Sequence, residues 1–405
     1  MTFKYVFWAF GPAINAFQMC RPVISVDGTH LKGSYKGNML VAVAKDANNS
    51  ILPIAFTIVD EETVDSWCWF FEQLRCVVQD KQLCVISDRH RGIIHLMKYL
   101  EKWKEPFAYH RFCLRHVWSN LMSRFKNLTL KRLCWAIGST TQERKFSRYK
   151  REIEALNPSA WKYLEEIDKS QWCLAFDNNL RWGSLTTNIS ESFNNVLRGA
   201  RQLPIRACIG LTFKRTVQLF KRYTMVGLNC KTSLPPNIWK IYRKVDTLAQ
   251  SHHIEEFDYT KGVYRIVTAR KTNGHGGNVQ IVYYHDKKCT CGKWQAHRFP
   301  CSHAITICRQ RRDNPLTLVN GVYGTSTFKC QYESDFVPLL HNDYWTDPGW
   351  KIQADYSKLV TSRGRRRQSR IENEMDQRHP NEPRKCGICR LSGHNKRNCP
   401  KSQPR

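Results

Sequence analysis

Short apolar runs rich in Val and Ile, separated by turn signals, dominate the first part of the chain. Three of these runs, at residues 23–31 (VISVDGTHL), 39–46 (MLVAVAKD) and 51–59 (ILPIAFTIV), are divided by the segments GSYKGN and ANNS. Runs of this length and composition between turn residues predict three consecutive strands in a meander. A fourth run, LCVIS at 83–87, predicts another strand that ends just before Asp88.

Between and after these strands the apolar residues follow a helical period. The pattern predicts helices over 63–79, with Thr63 or Asp65 as the N-cap, over about 92–103 and over about 114–125. The short apolar segment FAYHRFC, between the last two helices, predicts a further strand. The resulting order of three strands, helix, strand, helix, strand, helix predicts an α/β layered fold.

The rest of the chain changes character twice. Residues 128–180 have an almost wholly helical pattern, and a further helical stretch is predicted from about Asn188 to Met225. Residues 258–285 have β character around the turn TNGHGG, and apolar residues become sparse after about 355. The sequence contains no apolar run of about 18 residues, so no membrane-spanning helix is expected.

The charge of the chain constrains its partners. There are 64 Lys and Arg against 34 Asp and Glu, a net charge of +30. An excess of this size indicates a polyanionic partner, and nucleic acid is the usual one; a basic surface without a specific role is the alternative. Residues 361–405 carry 13 Lys or Arg and 4 Asp or Glu, which predicts a flexible basic tail with one small metal site.

The 17 cysteines bear on the compartment in which the protein works. The N-terminal segment lacks the pattern of a signal peptide, so a secreted disulfide framework is not expected. Six cysteines have metal-type spacings, and the others are scattered singly, as buried thiols of a reducing compartment are. Cytoplasm or nucleus follows, and the basic charge favours the nucleus.

The C-terminal region contains four potential zinc ligands spaced C-x2-C-x4-H-x4-C: Cys386, Cys389, His394 and Cys399. Three thiolates and one imidazole suit a tetrahedral structural Zn²⁺, and a module with so little core depends on the metal to fold. The spacing resembles the zinc knuckle of the retroviral nucleocapsid type, which implies binding of single-stranded nucleic acid; contact with a protein is the alternative. Residues 384–401 are interpreted as this knuckle, and 361–383 as a basic flexible linker.

A second group of potential zinc ligands has the spacing C-x-C-x9-C-x-H: Cys289, Cys291, Cys301 and His303. It follows the β-rich stretch and opens into an apolar helical segment, AITIC. The spacing resembles the SWIM zinc finger, which implies a second structural Zn²⁺ in a module at 258–310. Two chance cysteine pairs in a buried hairpin are the alternative, and His297 and Cys308 are interpreted as bystanders.

Three carboxylates are candidates for catalysis. Asp27 lies at the end of the first predicted strand, Asp88 follows the fourth, and Glu191 lies near the start of the helix predicted from about Asn188. Carboxylates at one edge of a sheet can converge although they are distant in sequence. Each also has an ordinary explanation: Asp27 as a turn residue, Asp88 as a helix cap, and Glu191 as a first-turn charge favoured by the helix dipole.

The segments around these carboxylates resemble the transposases of Mutator-like elements in plants. In chain order they read CRPVISVDGTHLKGSYKG, ILPIAFTIVDEETVDSWCWFFEQL, VISDRHRGI, HRFCLRH and TNISESFNNVL. The resemblance implies an RNase H-like core over 23–225 with a helical insertion at about 128–180. Residues 1–22 are interpreted as the remnant of an N-terminal region, which in full-length relatives binds DNA.

The resemblance also implies a catalytic site. Matched position by position, Asp27, Asp88 and Glu191 occupy the Asp-Asp-Glu triad of the family. Such a triad implies Mg²⁺ or Mn²⁺, because hard carboxylate oxygens suit these ions and a pair of them about 4 Å apart promotes phosphodiester cleavage. Cys113 and His116 match the C-x2-H motif of the family, which implies DNA handling near the site; a core thiol and a surface imidazole are the alternative.

Two classes of function remain. The first is a nuclear DNA transposase that cuts and joins DNA at transposon ends and target and, by resemblance, works as a homo-oligomer. The second is a domesticated derivative that regulates transcription by binding DNA without catalysis, as in the far-red-response proteins of plants, which share the core and the SWIM finger. The C-terminal knuckle favours the first class. Trp182 could stack on an unpaired base or pack beneath the last predicted helix, and packing is favoured.

Overall fold

The computed structural model describes residues 2–269, 276–347, 349, 352–353 and 355–359. A mixed sheet of six strands has the order β1-β4-β3-β2-β5-β6. These strands are β1 (Val6–Ala9), β2 (Val23–His30), β3 (Asn38–Lys45), β4 (Ile51–Val59), β5 (Leu83–Ser87) and β6 (Ala108–Phe112). The pairs from β1 to β2 are antiparallel, and β5 and β6 run parallel to β2.

Helices connect and cover the strands. The described helices are α1 (Gly11–Gln18), α2 (Val64–Val78), α3 (Arg91–Tyr99), α4 (Leu114–Phe125), α5 (Leu128–Ser139), α6 (Glu143–Leu156), α7 (Pro158–Glu165), α8 (Lys169–Trp172), α9 (Asn188–Val196), α10 (Ile205–Leu228), α11 (Pro236–Ala249), α12 (Lys293–His297), α13 (Ser302–Arg311) and α14 (Thr325–Gln331). None of these described helices is long and apolar enough to cross a membrane.

Local chemistry explains the order of the core elements. Thr63, one of the two predicted caps, accepts a hydrogen bond from the Ser66 backbone N–H at 3.2 Å and so starts α2 with a capping box. Strands β5 and β6 follow α2 and α3, because a parallel neighbour requires a crossover connection. The predicted α/β fold with an RNase H-like mixed sheet is confirmed.

The sheet is buried on both faces, which explains its continuous apolar strands. Alternate residues of β3, such as Leu40 and Ala42, lie in a core with α1, α2 and α3. The intervening residues, such as Met39 and Val41, lie in a second core that includes Phe193 of α9 and residues of α10. Helix α9 is thereby fixed over one face of the sheet.

The hydrophobic pattern does not predict β1 and α1. All four residues of β1 are half-buried at the sheet edge, so they lack the alternation of a typical surface strand. The strand pairs with β4, with Val6 opposite Ile58, and Trp8 stacks on Phe56 with 5.4 Å between ring centroids. Part of the segment interpreted as an N-terminal remnant thus contributes to the core sheet.

The helical stretch predicted from about Asn188 to Met225 is wrong in its continuity. Helix α9 ends at Val196, a short 3₁₀ turn follows at Ala200–Gln202, and α10 begins after Pro204. Proline restricts the residue before it and has no N–H to donate, so it starts a helix rather than continuing one. Because of this break, the short helix α9, which carries Glu191, can pack on the sheet in a direction independent of α10.

Helices α4 to α8 enclose a core of their own, and the predicted helical character of residues 128–180 is confirmed for α5 to α8. A buried ion-pair network joins this insertion to β6. Asp177 Oδ1 lies 3.0 Å from Arg111 Nε, on β6, and 3.3 Å from Arg181 Nε. Burial raises the pKa of Asp177, and the two guanidinium groups oppose this rise.

Asp177→Leu is expected to destabilise the fold by about 3–5 kcal/mol, because it leaves two buried guanidinium groups without a carboxylate. The free energy of unfolding in urea measures the effect. Glu152→Leu is the control: it removes only the exposed ion pair with Arg148 and should cost less than about 1 kcal/mol. A loss no larger than that of the control would contradict the stabilising role of the network.

Candidate active site and zinc centre

The register of two parallel strands brings Asp27 and Asp88 to the same level. Val23 pairs with Cys84 and Ser25 with Ile86, so the same register continued by two residues sets Asp27 level with Asp88. Asp88 directly follows β5, as predicted. Asp27 does not end its strand, because β2 continues to His30 and Asp27 pairs with Val41 of β3.

Helix α9 adds the third carboxylate. Ser190 Oγ donates to Ser25 Oγ at 2.8 Å, and Asn194 Nδ2 donates to Asp27 Oδ2 at 2.8 Å. These two contacts, one turn apart, hold α9 against β2, on the sheet face where Ser25 and Asp27 project. Glu191 lies in the first turn of this helix, between the two contact residues. The helix therefore presents its carboxylate toward the two aspartates.

The electrostatics of Asp27 report this convergence. Burial, and then the neighbouring Asp88, Glu191 and Glu62 carboxylates, raise its pKa to about 8, against the opposing effect of His116. Like charges at close range disfavour simultaneous ionisation. A bound divalent cation would reverse this effect by stabilising the charged carboxylates.

Glu191 is held from the opposite side by α4. Its Oε2 lies 2.6 Å from Arg115 Nη1, and the same guanidinium nitrogen donates to Asn188 Oδ1 at 3.1 Å. The other oxygen, Oε1, is buried and has no hydrogen-bond partner among the described residues. A buried acceptor without a donor is costly, and a cation would satisfy it. The three carboxylates thus fit the hard oxygen ligands that Mg²⁺ or Mn²⁺ requires.

The carboxylates are more spread than the ligands of a compact one-metal cluster. In the described part of the chain, the acidic residues do not form a group of three or more whose ligand atoms all lie within 4.8 Å of one another. A wider arrangement suits two ions, which lie about 3.5–4 Å apart in two-metal sites and share ligands around them.

Cys113 and His116 lie beside the acidic cluster. Burial opposes protonation of His116, but Cys113, Asp88 and Asp27 raise the pKa of the imidazole to about 9. Burial would also raise the pKa of the Cys113 thiol, but His116 and hydrogen bonds from Thr187 outweigh it, and the pKa is lowered. His116 therefore does not occupy the surface position given as the alternative, because the carboxylates act electrostatically on the Cys113–His116 pair.

Sequence reasoning missed three further groups at this site: Glu62, Asn194 and Arg115. The Glu62 carboxylate lies against the Cα of Gly28, so closely that an added Cβ at this glycine would collide with it. Burial and then Asp88 raise the pKa of Glu62, whereas His90 and His30 lower it. The only sequence signal for Glu62 is its place in the loop between β4 and α2, which does not distinguish it from Glu61.

Asp27→Asn is expected to raise the midpoint of thermal unfolding by a few degrees at pH 8 when no divalent cation is added. The folded-state pKa of Asp27, about 8, lies above its ordinary value of 3.8, so the folded protein binds this proton more tightly. The free energy of unfolding therefore falls as pH rises from 4 to 8. In thermal scans at pH values from 4 to 8, the unfolding midpoint of the variant should decrease less with rising pH than that of the wild type. Asp80→Asn, at an exposed carboxylate, is the control, and a destabilised Asp27→Asn would contradict the expected repulsion.

The predicted C-x-C and C-x-H residues come together in a separate small module. Its sheet has the order β10-β9-β8-β7, formed by β7 (His252–Asp258), β8 (Val263–Thr268), β9 (Val279–Tyr283) and β10 (Lys288–Cys289). All four ligand atoms lie within 4.8 Å of one another, and Cys289 Sγ is 3.6 Å from His303 Nδ1. Ligands about 2.3 Å from one tetrahedral Zn²⁺ have separations of this size. The residues therefore fit a structural zinc ion.

Local structure explains the spacing of these ligands. Cys289 ends β10, Gly292 turns the chain, and Cys301 is the N-cap of α13, which places His303 in the first helical turn. Gly292 has φ +72°, and an added Cβ there would collide with the carbonyl oxygen of Thr141 in the helical insertion. Glycine is therefore required at this position both by its backbone conformation and by the close approach.

The structure also tests the neighbouring residues. Cys308 lies outside the ligand cluster, with its Sγ 3.2 Å from the Tyr284 hydroxyl, and His297 is not among the clustered ligands. Trp182 packs with Tyr323 at 6.3 Å between ring centroids, in a cluster with α11 and the zinc module rather than beneath α9. The knuckle residues Cys386, Cys389, His394 and Cys399 lie outside the described residues.

Comparisons with known families agree with the two sites. Residues 23–120 match the family model described as MULE transposase domain, and residues 281–311 match the SWIM zinc finger. The first match includes Asp27, Asp88, Cys113 and His116 and ends before Glu191. No curated protein matches the chain. The chain thus contains a MULE transposase domain and a SWIM zinc finger with a Cys₃His group.

Proposed function

We propose that the chain is a DNA transposase of the Mutator-like type, which cuts and joins DNA strands with divalent cations held by Asp27, Asp88 and Glu191. The observation that carries the proposal is the convergence of these carboxylates. The β2–β5 register aligns two of them, and α9 brings the third over the same sheet face. The match to the MULE transposase domain supports the same reaction class, because it spans both aspartates.

The reaction divides its tasks among the residues of this site. When bound, Mg²⁺ or Mn²⁺ ions supply an activated attacking oxygen and stabilise the leaving oxygen of a phosphodiester. Asp27, on which both other carboxylates act, would help to hold both ions, and Asp88 and Glu191 would each help to hold one. Asn194 fixes the rotamer of Asp27 through its hydrogen bond. Arg115 holds one Glu191 oxygen and leaves the other for a cation.

Cys113 and His116 have a role in handling the DNA strand. The pKa of His116, raised to about 9, keeps the imidazole protonated at neutral pH. A cationic imidazole beside a carboxylate cluster is suited to receive a phosphate oxygen of the incoming strand. It would offset the repulsion between the DNA backbone and the acidic site, which is strongest before cations bind.

The remaining features fit a nuclear DNA-binding protein. The net charge of +30 supports binding to transposon ends and target DNA. The zinc finger, and the second zinc site predicted for the knuckle, would serve as accessory contacts, the knuckle to single-stranded nucleic acid or to protein. Assembly as a homo-oligomer on paired ends is part of the proposal and follows from the resemblance to transposases.

Nicking of DNA tests the proposal. A supercoiled plasmid that carries the sequences flanking the coding locus should be nicked with Mg²⁺ or Mn²⁺ and should remain intact when no divalent cation is added. The appearance of open-circular plasmid on a gel measures the reaction. Tight DNA binding without nicking under either ion would contradict the proposal and favour the domesticated transcriptional regulator.

A further inference from the structure

A cavity of about 310 Å³ lies between the core sheet, α11 and the zinc module. Its lining includes Arg21, just before β2, and Lys45, at the end of β3, but none of the three carboxylates proposed for catalysis. Apolar side chains of α11, including Ile238 and Val245, form another wall. A volume of this size accommodates one small ligand.

The cations of this cavity lack carboxylate partners. Lys45 is largely buried, and within the described residues its ammonium group has neither an ion pair nor a hydrogen bond; burial and then Arg21 lower its pKa to about 8. Arg21 donates to Asn49 Oδ1 and to the Asp46 carbonyl oxygen but forms no ion pair among the described residues. The Asp46 carboxylate is engaged elsewhere, by backbone N–H groups and the Tyr332 hydroxyl.

Lys293, an exposed residue that also lines the cavity, adds a third positive group; the lining contains no Asp or Glu, and its one acidic ligand group is the zinc ligand Cys301. Burial and then Lys293, Lys45 and Arg21 lower the pKa of His297, in the same lining, against the opposing effect of Cys291. Burying like charges together costs free energy unless an opposite charge accompanies them. The site therefore has the electrostatics of an anion-binding pocket.

Aromatic residues also line the cavity, and one of them contacts a cation: the Arg21 guanidinium lies over the Tyr323 ring, 5.0 Å from its centroid. Trp182 and Gly183 both have positive φ values, 49° and 73°. An added Cβ at Gly183 would collide with the His297 ring, so this turn is in close contact with the zinc module. Trp182, Phe299 and Tyr323 all line the cavity. Aromatic faces of this kind stack on nucleobases, whatever the base.

We propose that this cavity binds one nucleotide unit, with its phosphate at Lys45 and Arg21 and its base against Trp182 and the apolar side of α11. Inorganic phosphate alone would leave the aromatic and apolar walls without a contact. The cavity accepts either a free nucleotide or an unpaired nucleotide of a DNA strand. This inference goes beyond the proposed cutting reaction, for which the acidic cluster alone supplies the ligands.

Binding to the full-length, zinc-loaded chain tests the proposal, with no Mg²⁺ added so that cutting does not contribute. The probes are adenosine monophosphate, inorganic phosphate, and a fluorescein-labelled DNA duplex with or without one unpaired 3′ nucleotide. Lys45→Met is expected to weaken the specific binding about 10-fold and to reduce its salt dependence. Trp182→Leu should weaken it about 10- to 100-fold, and Trp182→Phe should restore most of it.

Matched controls separate this site from others. Lys240→Met removes an exposed lysine of α11 and should bind like the wild type. Preference for adenosine monophosphate over phosphate, lost in Lys45→Met, supports a free nucleotide; preference only for the unpaired 3′ end supports a DNA nucleotide. If neither preference exists, or Lys45→Met binds like Lys240→Met, the proposal is overturned. Zinc content and thermal unfolding verify that each variant is folded.

Discussion

Asp88→Asn is expected to reduce Mg²⁺-dependent DNA nicking about 1,000-fold or more while leaving the fold intact. Asparagine cannot supply the negative oxygen that holds a hard cation, and metal-ion stabilisation is worth several kcal/mol, where each 1.4 kcal/mol is about a factor of ten. The substitution should preserve local structure, because Asp88 Oδ1 accepts the His90 backbone N–H at 3.0 Å and an amide oxygen can do the same.

The measurement is the initial rate of plasmid nicking, compared with Asp80→Asn, which changes an exposed aspartate and should nick at the wild-type rate. Asp88→Cys gives a more specific readout, because a thiolate binds Mn²⁺ better than Mg²⁺. Nicking by this variant should recover partly in Mn²⁺ only. Equal activity of Asp88→Asn and the wild type would remove Asp88 from the proposed triad.

Features with a local signature could be predicted from the sequence. Strands β2 to β5 are apolar runs bounded by turn residues, and α2 begins at a threonine that forms a capping box. The zinc ligands Cys289 and Cys291 were found because metal binding fixes ligand spacing along the chain. In each case, the physical cause acts within about ten residues, which is the range that sequence patterns describe.

Local sequence patterns do not predict how the side chains of the acidic site meet, because this depends on distant contacts. Glu191 faces Asp27 only because Asn194 and Ser190 hold α9 against β2, and residues 165 or more positions apart form these contacts. Glu62 lies in the loop before α2, and its carboxylate reaches the site because Gly28 has no Cβ to collide with it. Tertiary packing determines such positions, and the periodicity of the sequence does not predict them.

The carboxylate cluster and the cationic cavity lie on the same side of the sheet, since Asp27 of β2 pairs with Val41 of β3, and Lys45, four residues further along β3, projects to the same face as Val41. This face of the sheet therefore has a positive region at the cavity and a negative region at the carboxylates. A DNA strand that lay along this face would contact both the cations and the carboxylates proposed to hold metal ions. Cations beside the carboxylates favour a site that binds an anionic polymer before the reaction. They do not favour a purely structural role for the acidic cluster.

Removal of one zinc ligand is expected to have the second large effect. Cys291→Ser should reduce the zinc content by one ion per chain and unfold the small module around β7–β10. Its core is limited to a few side chains, such as Tyr264, Trp294 and Ile307, together with the ligands themselves. A structural zinc ion contributes an apparent 10–16 kcal/mol in zinc-finger peptides, far more than so small a core supplies.

Zinc analysis and amide hydrogen exchange over residues 252–311 measure this effect. Cys308→Ser is the matched control, because Cys308 is a buried cysteine of the same module that lies outside the ligand group; it should keep its zinc and its protection. Exchange should also increase locally in the helical insertion, where Thr141 donates to the Cys291 carbonyl oxygen at 2.7 Å. Core strands β2 to β5, which have their own hydrophobic clusters, should remain protected. A Cys291→Ser protein with full zinc content and an ordered module would show that the Cys₃His group does not hold the ion.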